Sequence, residues 1–192
     1  MNDIAERKQA LRRRIRANRI ALSENQRQAE TLAGNQAVIT YLKKINAKTV
    51  ASYLAASSEI NLDQVHQYCW QLGQAIYFPR VIGLRMLSWH ATKPPLRLVH
   101  GAYGISEPDP AHHPPLPLPP DAVVLVPGVA FAADGHRLGQ GQGFYDRALA
   151  QHRGPAIGIG FSCQRDDDVP HEDHDRRLDG VILGGDVMLI SP

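Results

Sequence analysis

Ala122-Val123-Val124-Leu125-Val126-Pro127, followed by Gly135-His136-Arg137-Leu138-Gly139-Gln140-Gly141-Gln142-Gly143-Phe144-Tyr145-Asp146-Arg147, sets the architecture of this chain. The first run is short and apolar and reads as a buried strand. Glycines then fall at 135, 139, 141 and 143, with Arg137 ahead of the alternating three and Tyr145-Asp146-Arg147 closing them. Glycine lets a backbone come close to a ligand, and successive inward N–H groups form an anion-binding concavity. A helix over 144–152 completes a strand–loop–helix, the place where open α/β sheets bind ligands. The segment reads as a phosphate cradle with a cation on one side and a carboxylate on the other. Glycine alternation alone fits a surface turn equally well; Arg137, Tyr145 and Asp146 favour the cradle. No GK[ST] follows, so it is neither a Walker loop nor a dinucleotide fingerprint.

On either side of this unit, strands and helices alternate. Residues 49–54, 75–79, 85–90, 156–161 and 180–183 read as strands, and 61–73 as a helix. The pattern predicts an α/β fold: three layers, α/β/α, with a largely parallel sheet and helices on both faces. At the N-terminal end, Ile4, Leu11, Ile15 and Leu22 fall within roughly 40° of one another on a helical wheel, an amphipathic helix over 4–22. Lys8, Arg12 and Arg19 border that stripe, whereas Arg7 and Arg13 point elsewhere. Ser23 with Gln26 three residues later has the form of a capping box. It predicts a second helix to about Ile45, burying Ala29, Leu32, Ala33, Ile39 and Leu42. Residues 108–120 hold seven prolines, a surface-crossing loop rather than a helix, with His112 and His113 exposed in it. Each side of that loop is too small for its own core, so residues 1–192 read as one domain.

Composition narrows the class. At 43% hydrophobic the chain can fill a sizeable core. No run is long enough to span a membrane, and no secretory signal is visible, which predicts a cytoplasmic protein. Cys69 and Cys163 lack metal or redox spacing and read as small buried hydrophobes. The net charge of +2 is uneven: residues 1–20 hold seven basic and two acidic side chains. That asymmetry implies an anionic partner or a solvated helix face. A nucleic-acid-binding module is one such reading, without a recognition motif or aromatic platform to support it.

Among candidate chemical groups, Asp146 is a hard oxygen donor suited to Mg²⁺. The run 166–175 offers further carboxylates, most of which an acidic solvated loop would also explain. His171 and His174 form HxxH, but no third soft ligand accompanies them for zinc. Glu59, after the strand ending at Leu54, could hydrogen-bond a polar heterocycle, or simply be an acid favoured by a helix N-terminus.

Taken in order, Lys8-x-x-Leu11-Arg12, Glu59-Ile60, Tyr77-Phe78-Pro79, Gly101-x-Tyr103-Gly104-Ile105-x-Glu107-Pro108, Pro127-Gly128-Val129-Ala130-Phe131, the loop from Arg137 to Arg147, and Ile157-Gly158-Ile159-Gly160-Phe161 with Gln164 resemble the 5-formyltetrahydrofolate cyclo-ligase (5,10-methenyltetrahydrofolate synthetase) family. The resemblance implies an ATP- and Mg²⁺-dependent ligase of one-carbon metabolism. Such an enzyme closes 5-formyltetrahydrofolate to 5,10-methenyltetrahydrofolate, releasing ADP and phosphate. Carried over residue by residue, Lys8, Arg12, Arg137, Leu138, Gly139, Gln140, Gly141, Gln142, Gly143, Phe144 and Tyr145 would bind ATP. Leu54, Glu59, Trp89 and Tyr103, with Gln140, Gly141, Gln142, Gly143 and Phe144, would contact the folate. Tyr145 and Arg137 would be catalytic, and Asp146 and Asp175 would hold Mg²⁺. The partners implied are 5-formyltetrahydrofolate and ATP, with no nucleic acid or membrane, for a monomer or weak homodimer. Ala132 departs from the Asp of many relatives, and Gln140 and Gln142 from the Arg or Lys of some. A small-molecule kinase with the same cradle is the alternative enzyme.

Overall fold

The computed structural model describes residues 3–56, 58–172 and 175–190. Helix α1 (Asp3–Ala21) leads directly into α2 (Glu24–Lys44). The break between them is the expected capping box: Ser23 Oγ accepts the Gln26 N–H at 3.3 Å, and Gln26 Oε1 accepts the Ser23 N–H at 3.0 Å. Then come β1 (Val50–Ala51), α3 (Asp63–Gln71), β2 (Ile76–Gly83) and β3 (Met86–Thr92). An arm holding β4 (Leu98–His100) and β5 (Ser106–Pro108) follows, and after the proline segment β6 (Val123–Pro127). The short hairpin β7 (Ala130–Phe131) and β8 (Arg137–Leu138), α4 (Phe144–Ala150), β9 (Ala156–Gly160), β10 (Gly180–Leu183) and β11 (Asp186–Leu189) complete the order.

The main sheet runs β11-β10-β9-β6-β1-β2-β3. Its five inner strands are parallel, and an antiparallel strand closes each edge. Residues of β9 and β10 are buried throughout, as parallel strands covered on both faces require. On one face α2 and α3 pack Val38, Leu42, Val65 and Cys69 against Val50, Ile76, Phe78, Leu125 and Ile157. On the other, Leu149 of α4 joins Val124, Val126, Phe131 and Val181, with Leu118 of the proline segment and Trp89 against them. Each large aliphatic side chain so buried contributes about 1.5–3 kcal/mol before entropy is counted. The three-layer α/β/α arrangement with a largely parallel sheet is thus the one the alternation predicts.

Helix α1 stands apart from these layers. Leu11 and Ile15, on the expected stripe, pack on Val129, Ala130 and Leu138 of the β7–β8 region, at the carboxyl end of the sheet.

Two expectations are corrected. The buried face of α2 is Gly34, Asn35, Val38, Tyr41 and Leu42, while Ala29, Leu32 and Ala33 are exposed. Asn35 explains the shift: its Nδ2 donates to the Thr31 and Asn61 carbonyls, and its Oδ1 accepts the Val65 N–H at 3.2 Å. It thereby serves an orphan amide in the first turn of α3, whose N-cap Leu62 offers no side-chain acceptor. His113 is buried, not exposed, because its Nε2 accepts the Arg97 N–H and its carbonyl is bonded by His90 Nδ1. Cys69 is buried and Cys163 half-buried, both as free thiols.

Candidate active site

The chain leaves β1 through α3 toward β2 on one side, and later fills the other side of β1 with β6. The β1/β6 junction is therefore the switch point of the sheet, where a crevice opens beyond the strand ends. A cavity of about 430 Å³ lies there, within the range of small-molecule sites. Tyr53, Leu54 and Glu59 come from the segment after β1, and Pro127 and Gly128 from the end of β6. Pro79, Val81 and Leu87 come from β2 and β3, Tyr103, Ile105 and Glu107 from the arm. Arg137, Gly139, Gln140, Gln142, Gly143, Phe144, Tyr145 and Asp146 close it.

The glycine loop is thus a wall of the cavity. Gly141 has φ +100° and Gly143 φ +71°, left-handed backbone that a side chain resists. Among the described residues, no acceptor within the chain meets the amides from Gly139 to Phe144. Leu138 is different: its side chain is buried in the apolar cluster under α1.

Behind the loop stands a cationic stripe of α1 at helical spacing. Lys8 Nζ lies 3.3 Å from Asp175 Oδ2 and 3.1 Å from Glu172 Oε2. Arg12 Nε donates to the Gly139 carbonyl at 2.9 Å, and Arg16 donates to Gln140 Oε1. Burial, with Arg16 alongside, lowers the Arg12 pKa from its ordinary value. Arg16 lines the cavity although the reading of the sequence passes over it; its place four residues after Arg12 is the signal that could have found it. Arg19 is buried and donates to Ser58 Oγ.

Glu59 accepts the Ala56 N–H at 3.0 Å and lies before the first turn of α3, so it is not that helix's N-terminal acid. Burial holds its carboxyl above the usual range, against the Ala56 hydrogen bond and the charge of Arg19. Tyr145 has its phenol pushed up, by burial first and Glu59 second, with Arg137 opposing. The Arg137 guanidinium sits 5.9 Å from the Tyr145 ring centroid and pairs with Asp146. Trp89 shares a face of β3 with Leu87 but packs on the apolar cluster beside Tyr145 rather than lining the cavity. Tyr103 meets Phe144 edge-on at 6.0 Å.

Among the described residues no three His, Cys, Asp or Glu side chains are grouped to hold a metal ion. Asp146 is half-exposed at the cavity. That fits Mg²⁺, which is held by one or two carboxylates with water and phosphate oxygens. In the HxxH segment His171 stacks on His136 at 3.5 Å, and His174 lies outside the described residues. Ser52 Oγ lies 2.8 Å from His66 Nε2, with Asp63 at 3.8 Å from Nδ1. This pair is sealed in the core, where burial lowers the His66 pKa to about 4. No helix among the described residues is long and apolar enough to cross a membrane.

Residues 4–184 match the profile of the 5-formyltetrahydrofolate cyclo-ligase family. The chain is 32% identical over 176 residues to the 5-formyltetrahydrofolate cyclo-ligase of Escherichia coli K12, covering 88% of this chain and 95% of that protein. The cyclo-ligase of Haemophilus influenzae is 29% identical over 177 residues, covering 90% and 93%. The 5,10-methenyltetrahydrofolate synthetase of Aquifex aeolicus superposes with a TM-score of 0.81 at 28% identity, covering 96% of this chain and 93% of that one. Cradle, cavity and these likenesses agree, and the chain belongs to the 5-formyltetrahydrofolate cyclo-ligase family.

Proposed function

We propose that this enzyme couples ATP to the closure of 5-formyltetrahydrofolate in the cavity at the β1/β6 junction. One observation carries the reading: the glycine loop is shared, walling the largely apolar cavity while its Gly139 and Gln140 are bonded from α1 by Arg12 and by Arg16, which reaches the cavity itself. A flat heterocycle and a polyanion can therefore meet across a few residues.

The chemistry calls for that meeting. A formamide oxygen is a poor leaving group. Its attack on the γ-phosphorus forms an O–P bond and expels ADP. N10 of the folate then attacks the formyl carbon, the C–O bond breaks, and the N10 proton leaves with inorganic phosphate. Such transfers need positioning and charge more than covalent help from the protein.

Lys8, Arg12 and Arg137, with the amides of 138–145, hold the triphosphate in this reading. Leu54, Glu59 and Tyr103 hold the folate. Tyr145, between Arg137 and Glu59, sits at the transferring group. Trp89 supports the wall from behind. Asp146 and Asp175 hold Mg²⁺, which supplies charge neutralisation on the phosphates. Each of these acids is paired with a cation assigned to phosphate, Arg137 with Asp146 and Lys8 with Asp175. Asp146 and Asp175 would thus each have a cation to release to a phosphate oxygen on turning to a metal ion.

The test is the ultraviolet absorbance of methenyltetrahydrofolate, followed with and without ATP and Mg²⁺. Product must form only with all components present. Accumulation of a stable phosphorylated folate without ring closure would favour a kinase and overturn the reading.

A further inference from the structure

We propose that Glu107 is a positioning residue, latching the arm 98–108 onto β2 and so holding in place the cavity wall that meets the folate. The inference rests on the reading that folate occupies this cavity.

The argument begins with a mismatch of strand lengths. β1 pairs with β2 only at Ile76 and Tyr77. Beyond Tyr77, no strand among the described residues pairs with the edge of β2 that faces away from β3. The residues whose backbone groups face that edge are Tyr77, Pro79 and Val81. The Tyr77 carbonyl accepts the Ser52 N–H at 2.9 Å. Pro79 brings no N–H, as suits an open edge. Val81 does bring one, only part-buried, and even so an amide shielded from water without a partner carries a cost, which reaches about 1–3 kcal/mol when burial is complete. The Glu107 carboxylate supplies what a strand would have supplied: Oε1 accepts the Val81 N–H at 3.1 Å.

Glu107 is itself buried, and a buried carboxylate needs compensation. Arg80 gives it, with Nε 3.6 Å from Glu107 Oε2 and Nη1 donating to the Pro108 carbonyl at 3.0 Å. The fastening is therefore double, through both the side chain and the backbone of the arm. Gly101 closes over it: a Cβ there would lie 2.2 Å from the Glu107 carboxyl carbon. The Gly101 N–H donates to the Ile105 carbonyl at 2.9 Å, bending the arm tip back on its own acid. That tip carries Tyr103, Ile105 and Ser106 into the cavity lining.

Three variants test the latch: Glu107→Ala, Glu107→Gln and Gly101→Ala. Steady-state rates are measured with 5-formyltetrahydrofolate and ATP varied separately, alongside hydrogen exchange of the arm amides and circular dichroism. Glu107→Ala is expected to raise the folate KM about tenfold, leave the ATP KM within about twofold, and speed exchange at Gly101 and Ile105. Glu107→Gln keeps an acceptor for Val81 and is expected to restore most of the folate KM. Gly101→Ala displaces the carboxylate and is expected to reproduce Glu107→Ala; it decides the matter if that variant does not fold. An unchanged folate KM in a folded Glu107→Ala overturns the latch, as does an equal rise in both KM values with arm exchange unaltered. A wild-type protein that makes no methenyl product overturns the folate reading and this role with it. Activity with an unshifted folate KM overturns the latch alone.

Discussion

Replacing Gly143 by alanine isolates what the backbone of the glycine loop contributes. Gly143 sits at φ +71°, ψ +15°, as the N-cap of α4. An L-residue in that left-handed conformation costs about 1–2 kcal/mol. Alanine restricts the unfolded chain and recovers about 0.4–1 kcal/mol. Space is not limiting, since the added Cβ would lie 3.6 Å from Arg85 Cδ and 4.0 Å from Asp146 Oδ2, ordinary contact distances. The net expectation is a loss of about 1 kcal/mol, or about 2–4 °C in Tm for a chain of this size. Gly143→Asn, a residue that enters the left-handed region more readily, is expected to lose less. Differential scanning calorimetry of the three proteins reads the stability, and the methenyl absorbance assay reads the function. Rotation of the peptide after residue 143 re-aims the Phe144 amide, and kcat/KM is expected to fall by about tenfold or more, since small misplacements at a reacting centre are costly. An unchanged Tm, or an Asn variant as unstable as the Ala variant, refutes the conformational argument. Full activity in a protein destabilised as expected refutes the role of the loop amides.

Further outcomes follow from the same geometry. Asp146→Asn is expected to abolish ATP-dependent product formation while leaving the circular dichroism spectrum unchanged; retained activity contradicts the metal assignment. Arg12→Ala is expected to raise the KM for ATP about tenfold and the folate KM far less, so equal effects in the rate assay speak against a phosphate contact. Glu59, held above the usual carboxyl range chiefly by burial, lends stability that is fully present below about pH 4.3 and is lost as pH rises through its raised value. The Tm of Glu59→Gln is therefore expected to gain on the wild type between about pH 4 and pH 7 while activity falls, and a constant difference across that range rules this out. Gly158→Ala would place a Cβ 2.6 Å from the Phe131 ring and 2.8 Å from Leu178, an overpacking expected to cost about 1–3 kcal/mol in urea denaturation.

What the amino-acid order made visible was whatever relies on neighbours along the chain. The stripe of Leu11 and Ile15, the capping box at Ser23, and the apolar runs of β6, β9 and β10 all obey local periodicity. So does the cradle, because its glycines are consecutive enough to read as one loop. Hidden features depend on partners far along the chain. The true inner face of α2 carries Gly34 and Asn35, which look like a surface until Asn35 is seen bonding Asn61 and Val65. His113 is polar and set among prolines, yet it is buried by its bonds to Arg97 and His90. Strands of two or three residues, such as β4, β5, β7 and β8, are too short for alternation to show. Trp89 has the composition of a pocket wall, but its position on β3 turns it to the core beside the cavity. Glu107 carries no local signal of its proposed role, which depends on the open edge of β2 some 26 residues earlier.

The contact between Lys8 and Asp175 joins residues 167 positions apart. Closing so long a loop carries an entropy penalty, and the contact cannot form early in the emergence of the chain from a ribosome. Until the loop before β10 is in place, Lys8 lacks the carboxylates of Glu172 and Asp175. A nascent or partly unravelled chain can hold the glycine loop without holding the site. A ligand that spans α1 and the glycine loop draws its binding energy from elements that only the folded chain brings together. Bound at one hundred times its Kd, such a ligand would add about 2.7 kcal/mol to the stability of the whole molecule, so occupancy and lifetime of the enzyme rise together.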